Sequence, residues 1–340
     1  MGEFLADYGL FLLKTATLVV AFVFVIGAAA AANRRQHKGE SLEIENLNER
    51  FRNLAGALKR AVLDGKTFKA QAKALKEQIK RDRKAGKERP RSFVIDFKGD
   101  LKASAVPSLR EEVNAILEVA NEKDEIIVRL ENYGGVVHEH GLAASQLVRI
   151  RERGIPLIVA VDKVAASGGY LMACVANRIV AAPFAILGSI GVLAQLPNFN
   201  RLLETHGVDF EQITAGEYKR NVTMFGKNTD EDRARLREQL EDVHALFKAA
   251  VARYRPELDL GKVATGEHWY GTRALELGLA DELATSDELL ARRVAERDLF
   301  QVTYKIKQPL QKRLMASVDG ALDRVDAARW RRLFETRLPR

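Results

Sequence analysis

The chain has 340 residues, 47% hydrophobic and 29% charged, with a formal net charge of +8, one cysteine and six histidines. That length and apolar share support a packed core in one or two domains, and a single cysteine excludes an intrachain disulfide framework. The positive excess suits nucleic acid or an anionic membrane surface. No nucleic-acid-binding motif accompanies it, so the membrane is the expected partner.

The first segment, 1–33, reads as a membrane anchor. Thr15 to Ala32 is a run of 18 uncharged residues dominated by Val, Ala, Phe, Leu and Ile. Extended back to Tyr8 it is long enough to span a bilayer once, with Lys14 placed to snorkel. The residues before it carry Glu3 and Asp7 and no basic residue, the wrong sign for a cleaved signal peptide. Arg34, Arg35 and Lys38 follow it, so the positive-inside rule places the main domain in the cytoplasm.

Residues 34–90 form a charged arm. Leu47, Phe51, Leu54, Leu58 and Val62 recur at helical spacing, as do Phe68, Ala72, Leu75 and Ile79, with Gly65 between the two sets. Two readings stay open: a solvated stalk, or an arm that packs on a neighbouring subunit or the membrane.

From Ser92 the pattern alternates. Phe93–Phe97, Ile126–Leu130, Pro156–Val161 and Arg178–Ala182 read as strands. Leu109–Val119, Gly141–Arg151 and Leu171–Ala176 read as helices. This alternation predicts an α/β domain with parallel strands over 91–300. Phe210–Ala215 reads as a further strand, and Asp230–Tyr254 as a long helix with acidic residues at its start. Cys174 reads as a small buried residue. The tail, 301–340, is basic; Trp330, Leu333 and Phe334 among its arginines suit either an anionic membrane surface or a frayed soluble helix.

The run Ala166-Ser167-Gly168-Gly169-Tyr170 sits between a strand and a helix. A serine there has an exposed hydroxyl and free backbone N–H groups beside it, as a nucleophile and its oxyanion require. Gly134-Gly135 falls in another loop after a strand, where open α/β sheets carry their chemistry. The serine needs a base. No histidine lies between Gly168 and Thr205. His138 and His140 read as polar positions at a helix start, without the further ligands a zinc site needs. A lysine is the alternative, provided desolvation or a nearby cation keeps it neutral. Composition does not choose among the lysines; Lys219 follows a glycine-containing turn.

Four separated runs then agree in order and spacing: Ser167-Gly168-Gly169-Tyr170, Gly188-Ser189-Ile190-Gly191-Val192, Ala215-Gly216-Glu217-Tyr218-Lys219-Arg220, and Gly266 through Asp281. Together they resemble the signal peptide peptidase family of Ser-Lys proteases over nearly the whole chain, nearest its short inner-membrane members. The resemblance implies Ser167 as nucleophile, Lys219 as general base, Ser189 as the residue orienting that lysine, and Gly135 and Gly168 as oxyanion-hole donors. It implies a ClpP/crotonase-like fold of stacked ββα units. It also implies an octameric ring whose sites are shared between subunits, no metal or other cofactor, and apolar peptide or membrane-protein substrates. It further offers a site outside the cytoplasm, in the periplasm, as the alternative to the charge-based orientation. In one place the chain departs from the family: Asn132-Tyr133 stands where Ser-Pro usually precedes the Gly-Gly pair, and loss of the proline predicts a less rigid oxyanion turn. Two rival readings are a catalytically silent ring that binds peptides as a scaffold and a crotonase-like acyl-CoA enzyme.

Overall fold

A computed structural model of the chain describes residues 14, 15, 17, 19, 20, 22, 40–84, 89–216, 219 and 222–306. Ile44–Val302 is one compact unit and carries the architecture that matters for the site. The second unit combines Met1–Glu43 with Thr303–Arg340; within it Lys305 Nζ lies 2.7 Å from Glu43 Oε2. Most of the expected anchor, and the tail beyond 306, lie outside the described residues. Among the described residues no helix is long and apolar enough to cross a membrane.

A seven-stranded sheet is built from β1 (Glu40–Asn46), β2 (Arg91–Lys98), β3 (Glu125–Glu131), β4 (Leu157–Val161), β6 (Arg178–Ala181), β9 (Glu282–Leu283) and β10 (Asp298–Ile306). Their order is β1-β10-β2-β3-β4-β6-β9, and the pairs from β10 to β9 are parallel. A second sheet holds β5 (Val164–Ala166), β7 (Ile186–Gly188) and β8 (His268–Tyr270), with β5 parallel and β8 antiparallel to the central β7. Asn132 joins the two sheets through a parallel bridge to Ala165.

The central strands β2, β3 and β4 are apolar on both faces, as a sheet covered on both sides requires. All five residues of β4 are buried. Alternation sorts the side chains between two cores. Phe93, Ile95, Phe97, Ile126, Val128 and Leu130 face the larger core, where α3 (Val106–Val119), α4 (Val137–Glu152) and α5 (Gly168–Ala173) pack. Val94, Ile127 and Ile158 face a smaller core closed by α1 (Leu47–Val62) and α10 (Ser286–Glu296). Cys174 is in the larger core, and burial pushes its thiol up to about 12.

The arm contains two helices, α1 and α2 (Gly65–Lys84), divided near Gly65 as the spacing predicts. Their apolar stripe is largely uncovered: Leu54, Leu58 and Val62 are exposed. The short helix α6 (Asn200–Thr205) and the long α7 (Asp230–Tyr254) follow. Thr229 and Asp232 form a capping box at the start of α7, which satisfies amides the helix itself leaves unpaired. The small helices α8 (Leu260–Val263) and α9 (Gly271–Glu276) complete the set.

One predicted element does not form. Residues 210–215 are not a strand; they run as irregular, exposed chain, with Ile213 94% exposed. Phe210, Ile213 and Thr214 suit a strand, but a strand needs a ladder partner to satisfy its backbone, and no described strand pairs with this segment. Conversely β5, β7 and β8, each three residues long, were too short for periodicity to register. The helix expected from Leu171 begins earlier, at Gly168.

Candidate active site

Ser167 closes β5 and caps α5 with φ 53° and ψ −120°. A non-glycine residue rarely holds a positive φ, and such strain persists only where surrounding contacts over-determine it. Here the Ser167 N–H donates to Gly188 O at 2.8 Å, and Ser167 O accepts the Leu171 N–H at 3.0 Å. The result resembles other strand-to-helix turns that lift a nucleophile clear of the sheet. The glycines after it are required by close approach: a Cβ on Gly168 would lie 2.5 Å from His140 Cγ, and one on Gly169 2.2 Å from Asn132 O.

The loop that passes Ser167 starts at the end of β3. Asn132 N–H donates to Val164 O at 2.9 Å, and Asn132 O accepts the Ala166 N–H at 3.0 Å, so the turn is fastened to the strand that carries the serine. Gly134 has φ 85°, and a Cβ there would lie 2.7 Å from Ser167 Cβ. Its N–H donates to Asn132 Oδ1 at 2.8 Å. Gly135 packs on the backbone of Leu101, whose carbonyl a Cβ would approach to 2.2 Å; the next amide, Val136, donates to that carbonyl at 2.9 Å. The two N–H groups of the adjacent glycines are thereby separated in role. Gly134 spends its donor inside the turn, whereas the amides of Gly135 and Gly168 have no acceptor among the described residues. Unpaired donors at a half-buried and a buried residue are what a developing oxyanion would use.

His140 differs from its sequence reading as a polar position at a helix start. It is buried, with Nε2 3.1 Å from Asn132 Oδ1 and Nδ1 3.0 Å from Val136 O. Burial lowers its pKa; the bond to Val136 O and the charges of Asp100 and Glu139 oppose that in part. His138 is exposed beside Glu139 at 3.8 Å. Among the described residues no group of three His, Cys, Asp or Glu is arranged to hold a metal ion.

Ser189 ends β7 as Ser167 ends β5, also with φ 53°. Its N–H donates to Glu267 O at 2.6 Å. Lys219 lies in the segment between α6 and α7, exposed, with its N–H donating to Gly216 O at 3.2 Å. The fold therefore brings Ser167, Ser189, Gly135 and Gly168 into one neighbourhood. No hydrogen bond among the described residues joins Lys219 to Ser167 or Ser189. Sequence reasoning missed the parts played by Asn132 and His140. The departure at Asn132 was the signal, but its consequence depends on a histidine eight residues away reaching the same carbonyl oxygen.

Comparison with known proteins places the chain in a family. Residues 3–147 match Peptidase family S49 N-terminal and residues 149–299 match Peptidase family S49; the chain belongs to this peptidase family. Within it, the chain is similar to the Probable protease SohB of Haemophilus influenzae, 44% identical over 328 residues that span 92% of each chain. It is equally similar to the Probable protease SohB of Buchnera aphidicola subsp. Acyrthosiphon pisum, 44% identical over 315 residues, 92% of this chain and 94% of that one. Among solved structures, the 1510-N membrane-bound stomatin-specific protease aligns with a TM-score of 0.40 and 16% identity, over 60% of this chain and 85% of that one.

Proposed function

We propose that this peptidase is a membrane-anchored serine endopeptidase that works through a Ser167–Lys219 dyad. The observation that carries the reading is Ser167 itself: a serine in a strained backbone conformation, with the Gly168 amide next to it and the Gly135 amide in the adjoining turn, both without an acceptor among the described residues. In the first half-reaction neutral Lys219 Nζ takes the Ser167 Oγ proton as Oγ bonds to the peptide carbonyl carbon. The carbonyl oxygen becomes an oxyanion that accepts the N–H groups of Gly135 and Gly168. Collapse breaks the C–N bond, and Lys219 returns its proton to the leaving amine. Water then attacks the acyl-enzyme, with Lys219 again as base, and Ser167 is regenerated. Ser189 orients the lysine. The chemistry needs no metal or organic cofactor.

A lysine acts as a base only when desolvation or a nearby cation keeps it neutral. Lys219 is exposed in the single chain, which supports a site completed by a neighbouring subunit of a ring, an octamer in the ClpP/crotonase manner. The parallel strand order and the small second sheet are compatible with stacked ββα units of that kind. Uncovered apolar residues in the 210–225 region, Phe210, Ile213 and Phe225, would be covered by the same neighbour. The substrates are apolar peptide segments at the inner membrane, such as signal-peptide remnants or membrane-protein fragments. Arg34, Arg35 and Lys38 support a cytoplasmic site over a periplasmic one.

The test is hydrolysis of an apolar reporter peptide by the detergent-solubilised full chain. Ser167→Ala and Lys219→Ala should each lower turnover by about 10³-fold or more. Turnover retained in both contradicts the dyad and favours a silent, peptide-binding ring.

A further inference from the structure

His140 touches both sides of the turn system that presents the two free amides. Its Nε2 is 3.1 Å from Asn132 Oδ1, the same oxygen that accepts the Gly134 N–H at 2.8 Å. His140 lies against Gly168, where a Cβ would come within 2.5 to 2.7 Å of the ring atoms Cγ and Cδ2 and of His140 Cβ. We propose that Asn132 and His140 are positioning residues for the oxyanion hole, acting as one unit that sets the Gly135 amide through the turn and the Gly168 amide through ring contact. The inference rests on Ser167 and the two glycines acting as described above.

The hydrogen-bond inventory gives the pair a definite orientation. Asn132 Oδ1 must be the carbonyl oxygen, because a backbone N–H donates to it, and its Nδ2 then faces Met172 Sδ at 3.3 Å. An oxygen acceptor opposite Nε2 requires that nitrogen to carry the proton, which in a neutral ring leaves Nδ1, 3.0 Å from Val136 O, without one. Asn132 is thus held at four atoms by five partners: its N–H by Val164 O, its O by the Ala166 N–H, its Oδ1 by Gly134 and His140, and its Nδ2 by Met172, and its side chain is fully buried. Proline would stiffen the turn by fixing one φ angle. Asn132 instead braces it from within, through a side chain that bonds two residues ahead in the manner of an Asx turn. His140 then ties the brace to α4, the helix that carries it. The consequence for chemistry is that the spacing of the two donors depends on a single imidazole held between Asn132 and Gly168, and oxyanion stabilisation is steeply dependent on donor position.

The experiment compares wild type with His140→Phe, which keeps the ring and removes its hydrogen bonds, and Asn132→Ala. Active sites are titrated with a fluorophosphonate, so that kcat is expressed per reactive serine, and melting temperature is followed separately. A peptide aldehyde, whose hemiacetal oxygen occupies the oxyanion position, provides a binding readout. The pair as positioning unit predicts kcat lower by about 10-fold or more with KM within about threefold, and an aldehyde inhibition constant raised by the same factor as kcat falls. His140→Gln, which restores an N–H donor toward Asn132, should recover part of both. If kcat per titrated serine and the aldehyde constant stay within about twofold of wild type in the variants, the pair is a packing feature and the inference is overturned, whatever the melting temperature does. If His140→Phe fails to fold, the same criteria apply to Asn132→Ala and His140→Gln. Failure of the parent reading looks different: Ser167→Ala would then retain wild-type turnover, and the serine would not titrate.

Discussion

Ser167 and Ser189 end adjacent parallel strands and share the same left-handed φ of 53°. The register pairs Ala166 with Gly188, and the Ser167 N–H donates to Gly188 O at 2.8 Å, so each serine is the first residue beyond a matched pair. Holding two non-glycine residues this way costs on the order of 1–3 kcal/mol each. The cost is offset by the bonds that fix them, Ser167 N–H to Gly188 O and Ser189 N–H to Glu267 O. The proposed nucleophile and the proposed lysine-orienting residue are therefore spaced by the ladder of the small sheet rather than by a flexible loop.

Lys219 has no such fixture among the described residues. If its working position is supplied by assembly, subunits inactivated in different residues should complement. Mixing Ser167→Ala and Lys219→Ala protein under conditions that exchange subunits should restore part of the activity, because a fraction of interfaces then joins an intact Ser167 to an intact Lys219. Peptide hydrolysis at or below the sum of the two separate variants, with exchange verified by labelled subunits, counts against a shared site.

Gly135 has no room for a side chain. A Cβ would approach Leu101 O to 2.2 Å and Leu101 C to 2.8 Å, both backbone atoms with little freedom to retreat. Gly135→Ala should move the turn and lower kcat by about 10²–10³-fold, the range for loss of one oxyanion donor. Gly141→Ala is the control. It lies within α4 with nothing within 4 Å of the added methyl, and should raise stability by about 0.5–1 kcal/mol with kcat unchanged. Steady-state kinetics beside thermal melts separates the two.

The Arg255–Asp281 pair predicts a pH dependence of stability. Asp281 accepts Arg255 Nη1 and Nη2 at 2.7 Å and the Ile179 N–H at 2.7 Å. Burial raises its carboxyl pKa, but the guanidinium and the amide outweigh it and the net shift is downward. A carboxylate with a depressed folded-state pKa stabilises the protein above its unfolded value, near 3.9, and that contribution is lost as pH falls through the folded-state pKa. Asp281→Asn should cost about 1–2 kcal/mol at pH 7, discounted for partial exposure. The gap to wild type should narrow below pH 4. A gap of equal size at pH 3 and pH 7 would assign the effect to packing.

The legible parts of this fold were those with length. The strands around Phe93–Phe97, Ile126–Leu130 and Pro156–Val161 announce themselves as apolar runs, and α7 as a long amphipathic pattern with Asp230 and Glu231 at its start. The small sheet was not legible: three residues carry no period, and β5, β7 and β8 are defined by each other rather than by their own composition. Phe210–Ala215 shows the converse, a strand-like pattern left without a partner. At the site, Ser167 and the glycines were readable because a strand-to-helix turn has a chemical signature. His140 was not, because its burial and its bond to Asn132 arise only when α4 packs against the end of β3.

The most direct test of the dyad is intact mass after incubation of the assembled full chain with a fluorophosphonate, for wild type, Ser167→Ala and Lys219→Ala. An activated serine predicts one adduct per wild-type chain, none on Ser167→Ala, and labelling of Lys219→Ala slowed by about 10²-fold or more. A well-assembled wild type that takes up no label, or a Ser167→Ala protein that labels as wild type does, would contradict it.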